Sequence, residues 1–136
     1  MLAVDDQAEA RAVITDCLER YGAVVTTVSS GIEALTLLSD TPDDEWPDVL
    51  ICDITMPEED GCAVMKRVRA FEEERSVSMS HRIPAIALTS LSGRENWVRA
   101  LTAGFNTQLP KPAEPEELVA LIYSLTLERR RDASFG

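Results

Sequence analysis

Five polar residues stand at the ends of short apolar segments in this 136-residue sequence, and their side chains could do chemistry together: Asp5, Asp6, Asp53, Thr89 and Lys111. Carboxylate oxygens are ligands that Mg2+ accepts, and a carboxylate can also act as a nucleophile toward phosphorus. An ammonium group can neutralise charge on phosphoryl oxygens. If the fold brings these groups together, they could transfer a phosphoryl group to Asp53, with Thr89 donating a hydrogen bond to it.

The apolar segments that precede these residues alternate with stretches of helical periodicity. They cover residues 2–4, 24–28, 49–52, 83–88 and 107–109. This alternation predicts a single α/β domain, a doubly wound (flavodoxin-like) five-stranded parallel sheet with five helices. In such a sheet ligands bind outside the carboxyl ends of the strands. With the strand order 2-1-3-4-5, all five polar residues are expected to converge there.

Capping signals and apolar spacing place the five helices. The first is predicted to start with a capping box of Asp6 and Glu9, and the third to start at Asp60-Gly61. The second helix is predicted to start with a capping box of Ser30 and Glu33. The fourth is predicted to start with a box of Ser92 and Glu95 and to have Trp97, Val98 and Leu101 on its apolar face. The fifth is predicted to start at Pro115, and its apolar face consists of Leu118, Leu121, Ile122 and Leu125. Residues 40–47 and 72–82 are expected to be irregular polar connections.

Composition restricts the function classes. The net charge of −11 and the pI near 4.4 argue against direct nucleic-acid binding. No apolar run is long enough to span a bilayer, so we expect a soluble, cytoplasmic segment without membrane contact. Cys17, Cys52 and Cys62 form no metal-binding pattern and are expected to be reduced thiols.

Each polar residue also has an ordinary structural interpretation. Asp5 and Asp6 could simply cap the first helix, Thr89 suits a strand by propensity, and Lys111 could be solvated. Asp53 is harder to explain in this way, because it follows four apolar residues and a charge buried there is costly without a partner. Taken together, the five residues favour the functional interpretation.

The stretches VDDQAEAR, DVLICDITMPEEDG, IPAIALTS and LPKP resemble those of the CheY-like response regulator receiver family, in the same order and at similar spacing. The resemblance covers residues 1–126, a receiver domain, and leaves residues 127–136 as a polar C-terminal tail. It implies that Asp53 is the phosphoacceptor and that Asp6, Asp53 and the backbone carbonyl of Thr55 hold Mg2+. It also implies that Asp5 assists through water.

The same resemblance implies that Thr89 is a switch hydroxyl, that Lys111 binds the phosphoryl group, and that the Lys111–Pro112 peptide bond is cis. One position departs from the family. Gln108 stands where relatives carry tyrosine or phenylalanine, a ring that turns inward as the threonine moves. Output is therefore expected to depend on loop movement, backbone shifts or helix mobility, biasing the surface of the fourth helix, fifth strand and fifth helix.

The resemblance also suggests partners. The C-terminal stretch is most similar to receivers at the end of hybrid sensor histidine kinases. Because almost nothing precedes the first strand, Met1 is expected to lie inside a longer chain. A stand-alone single-domain response regulator is the close alternative. A sensor histidine kinase or histidine phosphotransfer domain would donate the phosphoryl group. A downstream protein would receive the signal, and a homodimer of this chain stays open. The domain would assist its own phosphorylation and dephosphorylation rather than turn over a substrate.

Two other classes stay open. Haloacid-dehalogenase-like phosphatases also use an aspartate nucleophile, Mg2+ and a lysine, but they place a second aspartate two residues after the nucleophile, where this sequence has Thr55. The other class is a receiver-like interaction module that is never phosphorylated. The complete set of acidic residues, Thr89 and Lys111 count against it.

Overall fold

The computed structural model describes residues 1–42, 45–56, 60–78, 81–90, 94–111 and 113–135. Strands and helices alternate along the chain, with β1 at Leu2–Val4, α1 at Ala8–Glu19, β2 at Thr26–Val28, α2 at Gly31–Asp40, β3 at Leu50–Asp53, α3 at Gly61–Glu74, β4 at Ala85–Thr89, α4 at Arg94–Ala103, β5 at Thr107–Pro110 and α5 at Pro115–Phe135.

The five strands form one parallel sheet in the order β2-β1-β3-β4-β5, which confirms the predicted fold class and strand order. In register, Val4 pairs with Cys52 and Asp53 pairs with Leu88. The carboxyl ends of β1, β3 and β4 therefore end at nearly the same level. This edge of the sheet positions the candidate site.

Apolar side chains are buried on both faces of the sheet. One core packs β-strand residues such as Leu50 and Cys52 against α2, α3 and α4, and the other packs their neighbours Val49 and Ile51 against α1 and α5. Strands that are covered on both faces are apolar at every position, because successive side chains point in opposite directions. This explains why the central strands were recognisable in the sequence as continuous apolar runs.

Two predictions about the helices are corrected. Helix α1 begins after Gln7, and its first turn has no side-chain cap, so Asp6 and Glu9 do not form a capping box. Helix α3 continues to Glu74, so residues 72–74 belong to it rather than to an irregular connection. Helix α5 begins at Pro115 as predicted and continues to Phe135, so it includes residues 127–135 of the polar C-terminal tail.

The apolar face predicted for α4 is wrong in two of its three residues. Trp97 is partly buried, but Val98 and Leu101 are 52% and 42% exposed, whereas Ala100 and Ala103 are buried. Small alanine side chains allow this helix to lie close to the sheet, and the larger side chains then point to solvent. Ser92, the predicted cap of α4, lies outside the described residues.

The caps of the other helices agree better with the sequence. The Ser30 hydroxyl accepts a hydrogen bond from the Glu33 N–H, while the Glu33 carboxylate accepts from the N–H and hydroxyl of Ser29 instead of closing the box on Ser30. Asp60 caps α3 by accepting from the Cys62 N–H. No helix in the described part of the chain is long and apolar enough to cross a membrane.

Candidate functional site

Two buried aspartates lie side by side at the carboxyl edge of the sheet. Asp53 is the last residue of β3, and Asp5 follows β1, whose Val4 pairs with Cys52. Both carboxyl groups are almost completely inaccessible to solvent. Buried carboxylates are tolerated only where hydrogen bonds or opposite charges compensate for lost hydration.

Both oxygens of Asp53 have such partners. Oδ1 accepts hydrogen bonds from the Thr55 N–H at 2.8 Å and from the Thr55 hydroxyl at 2.9 Å. Oδ2 accepts from Nζ of Lys111 at 2.7 Å. The Asp53 side chain is thus held in one orientation, and the Thr55 hydroxyl is a contact that the sequence analysis missed.

Lys111 links the two aspartates. Its Nζ also donates to Oδ2 of Asp5 at 3.2 Å, and its backbone N–H donates to the Thr89 carbonyl at 2.8 Å, which fixes the chain just after β5. Burial has the largest single effect on the pKa of this ammonium group, and it lowers that pKa because a charge is less stable away from water. The hydrogen bonds and negative charges of Asp53 and Asp5 together outweigh burial and raise the pKa of Lys111. Lys111 therefore remains a cation at neutral pH.

Asp6 completes a group of three carboxylates. One oxygen from each of Asp5, Asp6 and Asp53 lies within 4.8 Å of the others, and Asp6 is exposed to solvent. The three carboxylates carry a negative charge that exceeds the positive charge of Lys111, which contacts two of them. A divalent cation with a preference for oxygen ligands would balance it, so these residues fit Mg2+.

Removing one of these carboxylates should weaken the response to Mg2+. At a Mg2+ concentration ten times the Kd, binding should stabilise the folded protein by about 1.4 kcal/mol, a rise in Tm of several degrees. We expect an Asp6→Asn variant to lose most of this rise, because Asp6 is exposed and its loss leaves the fold intact. Thermal unfolding with MgCl2 or EDTA measures the effect. A rise in the variant equal to that in the wild type would contradict the assignment of Asp6.

Thr89 and Lys111 extend the site from the neighbouring strands. Leu88 pairs with Asp53, so the buried Thr89 lies one residue beyond the level of Asp53. The Ser90 hydroxyl lies 3.3 Å from the Thr55 hydroxyl, in hydrogen-bonding range. All five residues predicted from the sequence thus lie at this edge of the sheet. Pro112, and with it the predicted cis peptide bond, lies outside the described residues.

Three further residues support the site, and the sequence analysis assigned none of them this role. The Arg11 guanidinium donates to the Asp5 carbonyl at 2.8 Å, and the Asp5 carboxylate accepts from the Gln7 N–H at 3.0 Å. Gly61 lies so close to β3 that a Cβ atom there would be 2.4 Å from the Asp53 carbonyl oxygen. A side chain at residue 61 would push α3 away from the end of β3.

Comparison with known proteins adds to this geometry. The family model described as response regulator receiver domain matches residues 1–123. A 14.6 kDa protein of Leptolyngbya boryana is 38% identical, covering 98% of this chain and 94% of its own. The response regulator SaeR of Staphylococcus aureus is 31% identical, covering 96% of this chain and 52% of its own. The sensor histidine kinase CheAY of Helicobacter pylori is 30% identical, covering 90% of this chain and 14% of its own. The chain therefore spans about half the length of SaeR and a smaller part of CheAY.

Solved structures agree with the fold. Chemotaxis response regulator CheY4 of Vibrio cholerae is 28% identical, with a TM-score of 0.75 over 91% of this chain and 95% of its own. The signal receiver domain of a signal transduction histidine kinase from Syntrophus aciditrophicus is 31% identical, with a TM-score of 0.75 over 92% and 87%. Both similarities extend over nearly the whole chain.

Proposed function

Since the chain belongs to the response regulator receiver domain family, we propose that Asp53 accepts a phosphoryl group from a phosphohistidine of a partner protein. The observation that carries this proposal is the environment of Asp53: a buried carboxylate held by Thr55 and Lys111 beside two further carboxylates. A buried aspartate that served only the fold would not need the neighbouring negative charges, which destabilise it.

In the transfer, one carboxylate oxygen of Asp53 forms a bond to phosphorus as the N–P bond of the phosphohistidine breaks. The electron pair of that bond stays on the imidazole nitrogen, which takes up a proton. Nζ of Lys111 lies 2.7 Å from Oδ2 of Asp53, so it can bind the negatively charged phosphoryl oxygens once the group is attached. Thr89 is proposed to donate its hydroxyl hydrogen to the phosphoryl group once that group is attached.

Asp5, Asp6, Asp53 and the Thr55 carbonyl are the groups that would hold Mg2+ in this site, Asp5 through water. When bound, the ion supplies positive charge that stabilises the phosphoryl oxygens during transfer. The chain's own contribution is orientation. The two hydrogen bonds from Thr55 fix Oδ1 of Asp53, and the contacts of Arg11 and Gln7 fix Asp5.

The partners follow from this chemistry. We propose a sensor histidine kinase or a histidine phosphotransfer domain as donor, a downstream protein as receiver of the signal, and a cytoplasmic location. The relatives support two contexts equally, the receiver of a hybrid sensor histidine kinase and a stand-alone response regulator. The intact mass of the protein isolated from its source separates them, because only a hybrid kinase is several times heavier than 15.0 kDa.

Intact-mass spectrometry tests the phosphoacceptor role. Incubation with acetyl phosphate or phosphoramidate should add a single phosphoryl group in the presence of MgCl2 and none in EDTA. Hydroxylamine should remove the group, because it cleaves acyl phosphates and leaves phosphoserine and phosphothreonine intact. A folded protein without an adduct from either donor would favour an interaction module that is never phosphorylated.

The phosphatase alternative has a separate test. Thr55 has no carboxyl group that could act as a general acid, so the protein should not turn over p-nitrophenyl phosphate in MgCl2. Multiple turnovers that depend on Asp53 would favour the haloacid-dehalogenase-like class instead.

A further inference from the structure

Helix α4 is joined to the loop between β3 and α3 by an ion pair. The Arg99 guanidinium, in the second half of α4, contacts Oδ2 of Asp60, the residue that precedes α3. Both side chains are partly exposed, so the pair adds little to overall stability. The position of this ion pair matters for signalling, because Asp60 belongs to the loop that begins directly after Asp53.

Asp60 itself is held firmly. Its other oxygen, Oδ1, accepts a hydrogen bond from the Cys62 N–H at 2.9 Å, which caps α3. Its backbone forms an antiparallel bridge with Thr55. Since Thr55 binds Oδ1 of Asp53 through both its N–H and its hydroxyl, an unbroken series of contacts leads from Asp53 through Thr55 and Asp60 to Arg99.

The start of this series must change when Asp53 is modified. Oδ1 already accepts two hydrogen bonds and Oδ2 is bound by Lys111. In the proposed function one oxygen forms a bond to phosphorus, and Asp53 would also hold Mg2+. These bonds compete with the three existing hydrogen bonds for about four lone-pair sites of the carboxylate, so the contacts of Thr55 and Lys111 with Asp53 must rearrange.

Tight packing favours transmission of that movement. Gly61 lies against the end of β3, with no room for even a Cβ beside the Asp53 carbonyl. Asp60, which directly precedes Gly61, is therefore held close to the end of β3. We expect a shift of Thr55 to displace Asp60 through the bridge between their backbones, and with it the Arg99 guanidinium that Asp60 contacts.

The far end of α4 is attached differently. The Arg69 guanidinium donates to the Gly104 carbonyl at 2.8 and 3.0 Å and so fixes the C-terminal end of α4 to α3. This contact lies outside the series from Asp53. Helix α4 is thus anchored at its C-terminal end by Arg69, while Arg99 connects the middle of the helix to Asp60, between β3 and α3.

We propose that Arg99 is a positioning residue that couples α4 to the phosphorylation state of Asp53 through Asp60. The proposal rests on the proposed function of Asp53. It gives this chain a route to α4 that needs no aromatic ring on β5, where Gln108 stands. Among the described residues, Oε1 of Gln108 is buried without a hydrogen-bond donor, so no contact of that oxygen provides such a route.

The experiment compares amide chemical shifts of residues 95–103 before and after phosphorylation by acetyl phosphate with MgCl2. In Arg99→Gln the mean shift change of α4 should fall to about half of the wild-type value or less, since removal of the pair removes its coupling. Asp60→Asn keeps the oxygen that caps α3 and loses the charge, so it should have the same effect. The double variant should resemble either single variant.

Two controls separate coupling from structure. Arg20→Gln removes a more exposed ion pair, with Asp16 on α1, and should leave the α4 response unchanged. Arg99→Lys keeps the positive charge and should restore most of the response. Phosphoryl adduct formation, followed by intact mass in all variants, should stay within about twofold, as expected for an exposed pair.

The outcomes differ for the two proposals. A wild-type α4 response in phosphorylated Arg99→Gln would overturn the coupling role and leave the function of Asp53 standing. Absence of any adduct in the wild-type protein would overturn both. A reduced response in Arg99→Gln and Asp60→Asn, with full adduct and recovery in Arg99→Lys, would support the coupling.

Discussion

An Asp53→Asn variant should form no phosphoryl adduct with acetyl phosphate and MgCl2. The amide nitrogen is a poor nucleophile and the amide carries no negative charge, so the acyl phosphate cannot form. The change is nearly isosteric, and the remaining amide oxygen can still accept from Thr55. Intact-mass spectrometry should show the unmodified mass after a time that fully modifies the wild type.

Asp48→Asn is the matched control for this experiment. Asp48 is exposed and lies before the opposite end of β3, so the same chemical change there should leave the adduct intact. A Mg2+-dependent, hydroxylamine-sensitive adduct in Asp53→Asn, equal in amount to the wild type, would assign the chemistry to another carboxylate.

Replacement of Glu72 by alanine should cause the largest loss of stability among these variants, although it lies far from the candidate site in sequence. Glu72 is fully buried in α3, and its carboxylate accepts from the Arg69 guanidinium at 2.8 Å and from the Ile83 N–H at 2.7 Å. Its removal leaves a buried donor unpaired, creates a cavity and deprives Arg69 of its counter-charge. Loss of one partner of a buried ion pair typically costs about 3 kcal/mol or more.

Urea denaturation of Glu72→Ala measures the loss of unfolding free energy. In thermal unfolding, the Tm of this variant should be about 10 °C below that of the wild type. Glu72→Gln is the matched control, because its amide oxygen can still accept from Ile83 while the charge is gone. It should lose less stability than the alanine variant. Glu73→Ala, on the exposed face of the same helix turn, should change the unfolding free energy by less than about 0.5 kcal/mol. Equal stability of Glu72→Ala and the wild type would refute the structural role of Glu72.

Glu72 also shows why part of the fold was not predictable from the sequence. It stands in a polar stretch that reads as a connection, and nothing local indicates that it is buried. Its partners are Ile83, which precedes β4, and Arg69 in the same helix, and Arg69 in turn reaches Gly104, 35 residues away. Whether an acidic residue can be buried depends on such long-range partners.

The apolar face of α4 has a similar explanation. Helical spacing groups Trp97, Val98 and Leu101, but the packing of α4 buries Ala100 and Ala103 instead. The spacing of apolar residues indicates that a helix exists. It does not specify which face the sheet covers when small residues compete with large ones.

The sequence by itself determined the fold class and, on the assumed strand order 2-1-3-4-5, the convergence of the five polar residues. Strands buried on both faces must be continuously apolar, and in a parallel sheet their carboxyl ends meet at one edge. Only the tertiary structure decided the finer contacts: the Thr55 hydroxyl on Asp53, Gly61 against β3, and Arg99 on Asp60. These depend on distances of a few ångströms between elements. Such distances are set by the packing of the whole chain, which no local pattern of residues encodes.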